Sequence, residues 1–271
     1  MTALAGVLGY PVAHSRSPAM HNAAFRELGL DWRYVKLPVP LVLFEETVRA
    51  LPASGFRGAN VTIPHKLAAL ALADRATAAA SGAGAANTLA FARDGAIEAD
   101  NTDAGGFLDA LEESPEGRRA LVLGAGGAGR AVAWALREAC AAEVLVWNRA
   151  PERAEELARD LDLVAVRSPA GADLVVNATS VGLRGGPPDA QQANEEEAIA
   201  ALGLAELRPP EVVVDLAYAA GTTPVISWGR RAGARTVDGL EVLVRQGARS
   251  FARWTGRRPP LEVMRAAARG A

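Results

Sequence analysis

The stretch ALVLGAGGAGRAV, residues 120–132, restricts the possible folds of this chain more than any other. An apolar run typical of a strand stops at Gly124, and a helix-like run opens within a few residues. Gly124, Gly126 and Gly129 stand where a tight turn, a close backbone approach to a diphosphate and close helix-to-strand packing each require a missing side chain. Ala125, Gly127 and Ala128 fill the remaining places with nothing larger than a methyl group. Backbone amides at the start of such a helix hold an anion. In a chain with 27 glycines the pattern alone would also fit a structural turn. The following strand, EVLVW, supplies the strand–turn–helix–strand context of a dinucleotide site. That strand runs into Asn148 and Arg149, with Arg153 one helical turn on. An acid that would bind ribose hydroxyls is missing, and two guanidiniums suit a 2′-phosphate, so the pattern favours NADP(H) over NAD(H). Either arginine taken singly would also fit an exposed helix start.

The rest of the chain alternates in the same way. ALAGVLGY, WRYVKLPV and FRGANVTI read as strands; SPAMHNAAFRELGL, LVLFEETVRALPAS and a segment opening at PHKLAALALA read as helices. AANTLAFARDGAIEAD reads as a strand and a hairpin through Asp94 and Gly95. A helix over 103–113 leads to ESPEGRR, whose proline and glycine suggest a module boundary near 114–118, although the helix itself could be the link. DLVVNATSVGL and EVVVDLAY repeat the strand-then-turn form, PVISWGRRAGARTVDG gives a helix and a strand, and GLRGGPPDAQQANEEE reads as a polar loop. After about 238 only helices are expected, and pattern does not say which domain they join. The fold class is α/β in two domains, with a largely parallel sheet in the first.

Bulk properties exclude several functions. A net charge of −2 and a pI near 6.0 give no global basic face for nucleic acid. The locally basic RQGARSFARWTGRR places Arg245, Arg249 and Arg253 on one helical face, which reads as solvated. A single cysteine, Cys140, excludes an internal disulfide and a clustered thiolate metal site; its helical context reads as a buried inert thiol. His14, His21 and His65 match no metal-binding spacing and read as local hydrogen-bonding residues. Neither a leader nor an apolar span of membrane length is evident, so a cytosolic protein is expected.

Of 29 basic residues only two, Lys36 and Lys66, are lysines. A lysine kept in an arginine-rich chain suits chemistry that a guanidinium performs poorly, because an ammonium can give up its proton. Lys66 closes GANVTIPHK, just beyond an expected strand, where ligands of α/β sheets gather.

Together GYPVAHSRSPAMHN, GANVTIPHK, AANTL, NTDAGGF, GAGGAGRA, NATSVGL, DLAY and DGLEVLVRQGA resemble the shikimate dehydrogenase family in its common bacterial form, in the family's order and across nearly the whole chain. The resemblance implies reversible NADPH-dependent reduction of 3-dehydroshikimate to shikimate. It implies that residues 1–102 with 238–271 form the substrate domain, and that 103–237 form an inserted Rossmann-type NADP domain, with substrate in a closing cleft between them. It further implies that Ser15 and Ser17 hold the substrate carboxylate, that Thr62, Lys66, Asn87, Asp103 and Gln246 contact its ring hydroxyls and carboxylate region, and that Lys66 and Asp103 are the catalytic pair. Arg149 and Arg153 would face the 2′-phosphate. Thr179, Leu183, Leu216, Tyr218 and Gly239 would lie along the cofactor, with Tyr218 also near substrate. By themselves the serines read equally as turn or cap residues, and Gln246 as an ordinary helix residue. Ala150 stands where the family often has threonine, and Ala219 and Ala220 where it often has asparagine and proline. A quinate/shikimate dehydrogenase, a methylenetetrahydrofolate dehydrogenase-like enzyme and a non-catalytic NADP-binding regulatory protein stay open, as do monomer and homodimer.

Overall fold

The computed structural model describes residues 2–182, 195–219 and 221–270. The chain divides into two compact units, Met1–Gly106 with Leu243–Ala271, and Phe107–Val242. They part inside two helices, a few residues beyond the boundaries that the resemblance implies. The loop at 114–118 lies within the second unit.

The first unit runs β1 (Ala3–Gly9), α1 (Ser17–Glu27), β2 (Trp32–Pro38), a 3-10 turn Leu41–Leu43, α2 (Phe44–Ala50), β3 (Phe56–Val61), α3 (Lys66–Ala71), β4 (Arg75–Ala76), α4 (Ala78–Ala83), β5 (Thr88–Phe91), β6 (Ile97–Asp100) and α5 (Thr102–Leu111). The strands make a six-stranded sheet in the order β2-β1-β3-β5-β6-β4. β1 is parallel to both β2 and β3, and β4 to β6. β5 runs antiparallel to β3 and to β6, its partner in a hairpin whose short connection demands that direction. Pro18 at the start of α1 presets the helical φ, and the Thr77 side chain caps α4.

The second unit follows with β7 (Arg119–Leu123), α6 (Gly127–Glu138), β8 (Glu143–Trp147), α7 (Pro151–Leu161), β9 (Val164–Ala165), β10 (Leu174–Asn177), α8 (Glu195–Ala201), β11 (Val212–Asp215), α9 (Pro224–Arg231) and β12 (Arg235–Val237). Its sheet is wholly parallel, ordered β12-β11-β10-β7-β8-β9. LVVN and VVVD are buried throughout, as strands covered on both faces must be. Residues 195–197, read as part of a polar loop, instead open α8; the stretch 183–194 lies outside the described residues.

The chain then enters α10 (Gly239–Thr255) and α11 (Leu261–Arg269). From Leu243 onward these belong to the first unit. Val244, Phe251 and Met264 pack with Met20, Phe25 and Tyr34 against one side of the first sheet, while Phe44, Val48, Phe56 and Leu89 belong to the other core cluster. Trp254 lies over Gly58, where a Cβ would fall 2.1 Å from its ring nitrogen, and donates to the Leu89 carbonyl at 2.9 Å. The arginine face read as solvated is partly engaged, because Arg253 pairs with Glu98 at 3.2 Å and Asp100 at 3.4 Å. Cys140 is exposed rather than buried: it follows the end of α6 at φ 59°, a position that turns the chain away from the core. Among the described residues, no helix is long and apolar enough to cross a membrane.

His21 also departs from its reading. Its ring is fully buried, stacked on Tyr34 at 4.4 Å between centroids, and neither nitrogen has a hydrogen-bond partner among the described residues. It serves as an aromatic core residue, and burial pushes its pKa down to about 3. The unfolded chain therefore binds a proton that the folded one refuses. This contribution to stability is complete above the ordinary histidine pKa and is lost as pH falls toward 3. Between pH 7 and pH 4 the loss should be about 3 kcal/mol. Urea unfolding of the wild type and of His21→Leu across that range should show the smaller decline in the variant; equal declines would contradict a neutral buried ring.

Candidate active site

In the first unit, α3 begins with Lys66 just past the carboxyl end of β3, and Asp103 lies in the first turn of α5. Lys66 Nζ donates to Asp103 Oδ2 at 2.5 Å, with the two side chains only 11% and 16% exposed. The other carboxylate oxygen accepts from Asn87 Nδ2 at 2.8 Å. The same amide nitrogen also donates to Gln246 Oε1 at 3.1 Å. Asn87 Oδ1 accepts from the Thr102 backbone N–H at 2.7 Å, which fixes the direction of the amide. Lys66, Asp103, Asn87 and Gln246 thus form one hydrogen-bonded cluster.

Behind it lies a buried polar layer that sequence reading missed. Ser250, one helical turn beyond Gln246, meets Asn60 Nδ2 at 2.8 Å, Thr88 Oγ1 at 2.8 Å and Thr102 Oγ1 at 3.1 Å. Asn60 Oδ1 accepts from the Tyr34 hydroxyl at 2.8 Å. The available signal is the spacing of Gln246, Ser250 and Trp254, each four apart on one face of α10.

The remaining expected substrate residues lie outside this cluster. Ser15 Oγ accepts from the Ser17 N–H at 3.3 Å, a local turn that prepares α1, and Ser17 is buried. Lys36, the other lysine, donates to the carbonyl of Ala13 in the loop before Ser15. Thr62 follows β3, and its N–H donates to the Leu8 carbonyl at 2.8 Å. His65 Nε2 lies 2.7 Å from the Val39 carbonyl oxygen, and burial lowers the ring's pKa. His14 is likewise lowered, first by burial and then by the charge of Lys36.

In the second unit the ladder register aligns the functional loops along one edge. Leu123 stands opposite Trp147 and Asn177, and Asn177 opposite Asp215, so Gly124, Asn148, Ala178 and Leu216 all leave the sheet at its carboxyl side. β7 lies between β8 and β10, where the strand order reverses, the usual ligand position in such sheets. Gly124 has φ 105°, which disfavours any side chain, and a Cβ on Gly129 would sit 1.9 Å from the Gly124 carbonyl oxygen. Ala125 and Gly127 lie at the turn, with Ala128 in the first turn of α6. Asn148 braces this turn: Oδ1 accepts from Ala125 N–H at 3.2 Å, and Nδ2 donates to the Ala150 carbonyl at 3.0 Å. Arg149 and Arg153 follow just beyond it, at the loop before α7 and in that helix's first turn. Ala150 leaves α7 without a side-chain cap, a job a threonine there would do.

The neighbouring loops are tied together from beneath. Asn177 Oδ1 accepts from both the N–H and the hydroxyl of Thr179, at 3.1 and 2.7 Å. The hydroxyl proton of Thr179 is thereby committed within the protein. Leu216 donates its N–H to the Asn177 carbonyl at 2.9 Å, and Gly239 packs against Ala217, whose carbonyl oxygen would lie 2.3 Å from an added Cβ. Tyr218 is half-buried in the loop after β11. Burial pushes the Asp215 carboxyl up to about 7, against hydrogen bonds from Thr223, Ala217 and Asn177 that lower it. Leu183 and Ala220 lie outside the described residues. Among the described residues, no group of three or more histidine, cysteine or acidic side chains could hold a metal.

The glycine turn fits a dinucleotide. A Cβ on Gly126 would meet nothing within 4 Å, so the backbone at the helix start is open to a diphosphate, with cationic side chains rather than an acid past the next strand. A lysine–carboxylate cluster in one α/β unit and this cradle in another define a two-domain dinucleotide-binding protein. Residues 7–89 match the shikimate dehydrogenase substrate binding domain, residues 109–181 the shikimate / quinate 5-dehydrogenase family, and residues 239–269 the shikimate 5'-dehydrogenase C-terminal domain. A shikimate dehydrogenase (NADP(+)) of Acidiphilium cryptum is 46% identical over 96% of this chain and 92% of its own. The crystal structure of shikimate 5-dehydrogenase from Thermus thermophilus in complex with NADP(H) and shikimate aligns with TM-score 0.85 and 42% identity over 99% of each chain. The ligand-free 5-ketofructose reductase of a Gluconobacter strain aligns at 0.82 and 31% identity, over 100% of this chain and 99% of its own. The chain belongs to the shikimate dehydrogenase family.

Ser250→Ala tests the buried layer. Removing its hydroxyl takes the shortest partner from Asn60 Nδ2, which keeps longer contacts to the Asn87 carbonyl and to Thr88, so urea unfolding should show a loss of about 0.5–1.5 kcal/mol. A change within experimental error would mean that the layer is satisfied some other way.

Proposed function

We propose that this protein is an NADP(H)-dependent shikimate dehydrogenase, interconverting 3-dehydroshikimate and shikimate, with Lys66 and Asp103 as its catalytic pair. The observation that carries the assignment of the pair is the 2.5 Å Lys66–Asp103 contact, held at the carboxylate's other oxygen by Asn87. NADP(H), when bound in the second unit, supplies hydride to the C3 carbonyl carbon in reduction and accepts it in oxidation. The matching proton reaches the developing alkoxide from Lys66 Nζ, whose positive charge also stabilises that oxygen. An ammonium has three donors; Asp103 takes one, and the carboxylate keeps the amine aimed. In oxidation the unprotonated amine takes the hydroxyl proton as general base.

Asn87 and Gln246 carry amide groups suited to ring hydroxyls, and Ser15, Ser17 and Thr62 supply hydroxyl donors for a carboxylate. Gly124 to Gly129 take the diphosphate, and Arg149 and Arg153 the 2′-phosphate. Tyr218 and Gly239 line the nicotinamide end. A net charge of −2 supports a protein that acts on small molecules rather than nucleic acid, and a cytosolic location suits a metabolic enzyme of this kind.

Shikimate oxidation should be rapid with NADP⁺ and much slower with NAD⁺, and quinate should be a poor substrate. Lys66→Ala should lower kcat by about 10²–10⁴-fold while NADP⁺ binding persists. Lys66→Arg should remain nearly as impaired, because the guanidinium keeps charge but holds its proton. Recovery in the arginine variant would reduce Lys66 to an electrostatic role, and quinate turnover matching shikimate would replace the substrate assignment.

A further inference from the structure

Asp215 closes β11, is fully buried, and has no part in the proton transfer assigned to Lys66. Three donors from three segments converge on it. Asn177 Nδ2 reaches Oδ1 at 2.8 Å from the end of β10, and Ala217 N–H reaches the same oxygen at 3.0 Å from the following loop. Thr223 Oγ1 donates to Oδ2 at 2.5 Å from the start of α9.

Asp215 accepts in all three contacts, so Asn177 turns its NH₂ toward it and its carbonyl oxygen the other way. That oxygen gathers the N–H and hydroxyl of Thr179, and the Thr179 hydroxyl then accepts from Val181 N–H at 3.2 Å. Asn177 Nδ2 also reaches the Val181 carbonyl at 3.3 Å, closing the turn. A reversed amide would set oxygen against carboxylate and donor against donor. The shape of the 178–181 turn is therefore dictated by what Asp215 can accept. Its second oxygen orients Thr223, whose hydroxyl caps α9 by accepting from Ile226 N–H at 3.3 Å. Its contact with Ala217 bends the chain that carries Leu216 and Tyr218.

We propose that Asp215 is a positioning residue for the cofactor: by accepting from Asn177, Ala217 and Thr223 together, it holds the 178–181 and 216–218 segments in the shape that receives the nicotinamide half of NADP(H). This rests on the assignment of the second unit to NADP(H). Asp215 is wholly enclosed by protein, so its effect passes through the two segments it joins.

Asp215→Asn keeps the volume but replaces one oxygen with an NH₂, so the Thr223 hydroxyl must reverse from donor to acceptor to keep its contact, and the Asn177 and Ala217 donors meet a weaker acceptor. Steady-state shikimate oxidation and NADP⁺ titration followed by intrinsic fluorescence should be measured for wild type, Asp215→Asn and Thr223→Val. The expected result is a rise of roughly fivefold to tenfold in KM and Kd for NADP⁺ in Asp215→Asn, a smaller rise in Thr223→Val, and a shikimate KM within about twofold of wild type in both. Unchanged NADP⁺ values, or equal rises in both KM values, would overturn the positioning role. If Asp215→Asn does not fold, the split in Thr223→Val decides. Failure of the wild type to bind NADP⁺ would instead overturn the cofactor assignment beneath it.

Discussion

The first unit depends on a carboxylate with both oxygens spoken for. Asp103 takes an ammonium at one and an amide at the other, and the amide is aimed in turn by the Thr102 backbone. A half-buried charge pair is costly when any partner is missing, and well held when all are present. Much of the polar interior of this unit meets that demand. Asn87 precedes β5, Thr102 and Asp103 begin α5, Gln246 and Ser250 come from α10, and Asn60 from β3. A lysine and an aspartate far apart in sequence are presented together because these segments share hydrogen bonds that would otherwise be lost.

The second unit solves a different problem with different means. The backbone there is open to a diphosphate, because the sequence removes side chains instead of assembling them. Gly124 bends, Gly129 lets helix and strand meet, and Asn148 ties the bend to the next strand without adding charge. The loops at the carboxyl edge are braced from below. Asn177 and Asp215, side by side on adjacent parallel strands, provide the bracing.

Local chemistry makes much of this legible in the sequence. Gly124, Gly126 and Gly129 announce their turn because backbone geometry is a short-range property, and Lys66 stands out because the chain avoids lysine. The longer strands and the β5–β6 hairpin follow from apolar runs and Asp94-Gly95, whereas the two-residue β4 and β9 carry no such run. What escapes depends on partners distant in sequence. Ser250 looks like any helix residue until Asn60 and Thr88 are found opposite it. His21, in a motif rich in polar residues, reads as a hydrogen-bonding group, yet Tyr34 and the α10 aromatics enclose it. Cys140 sits only a residue or two past a buried helix face, and a left-handed turn is enough to expose it. The arginines of α10 are periodic as expected, but the acids on β6 that engage Arg253 belong to another part of the chain.

The division of the chain also orders its birth. Asn60 and Thr88 are synthesised long before Ser250, which stands 190 positions beyond Asn60. Every strand of the parallel sheet lies in the continuous stretch Phe107–Val242, so that sheet has its full set of strands while the earlier unit still waits for α10. Domains emerging from a ribosome fold as their segments become available. The nascent protein therefore carries its glycine turn before it carries a finished lysine–aspartate cluster, and until α10 and α11 emerge one face of the first sheet lacks Val244, Phe251 and Met264, which cover it in the finished chain.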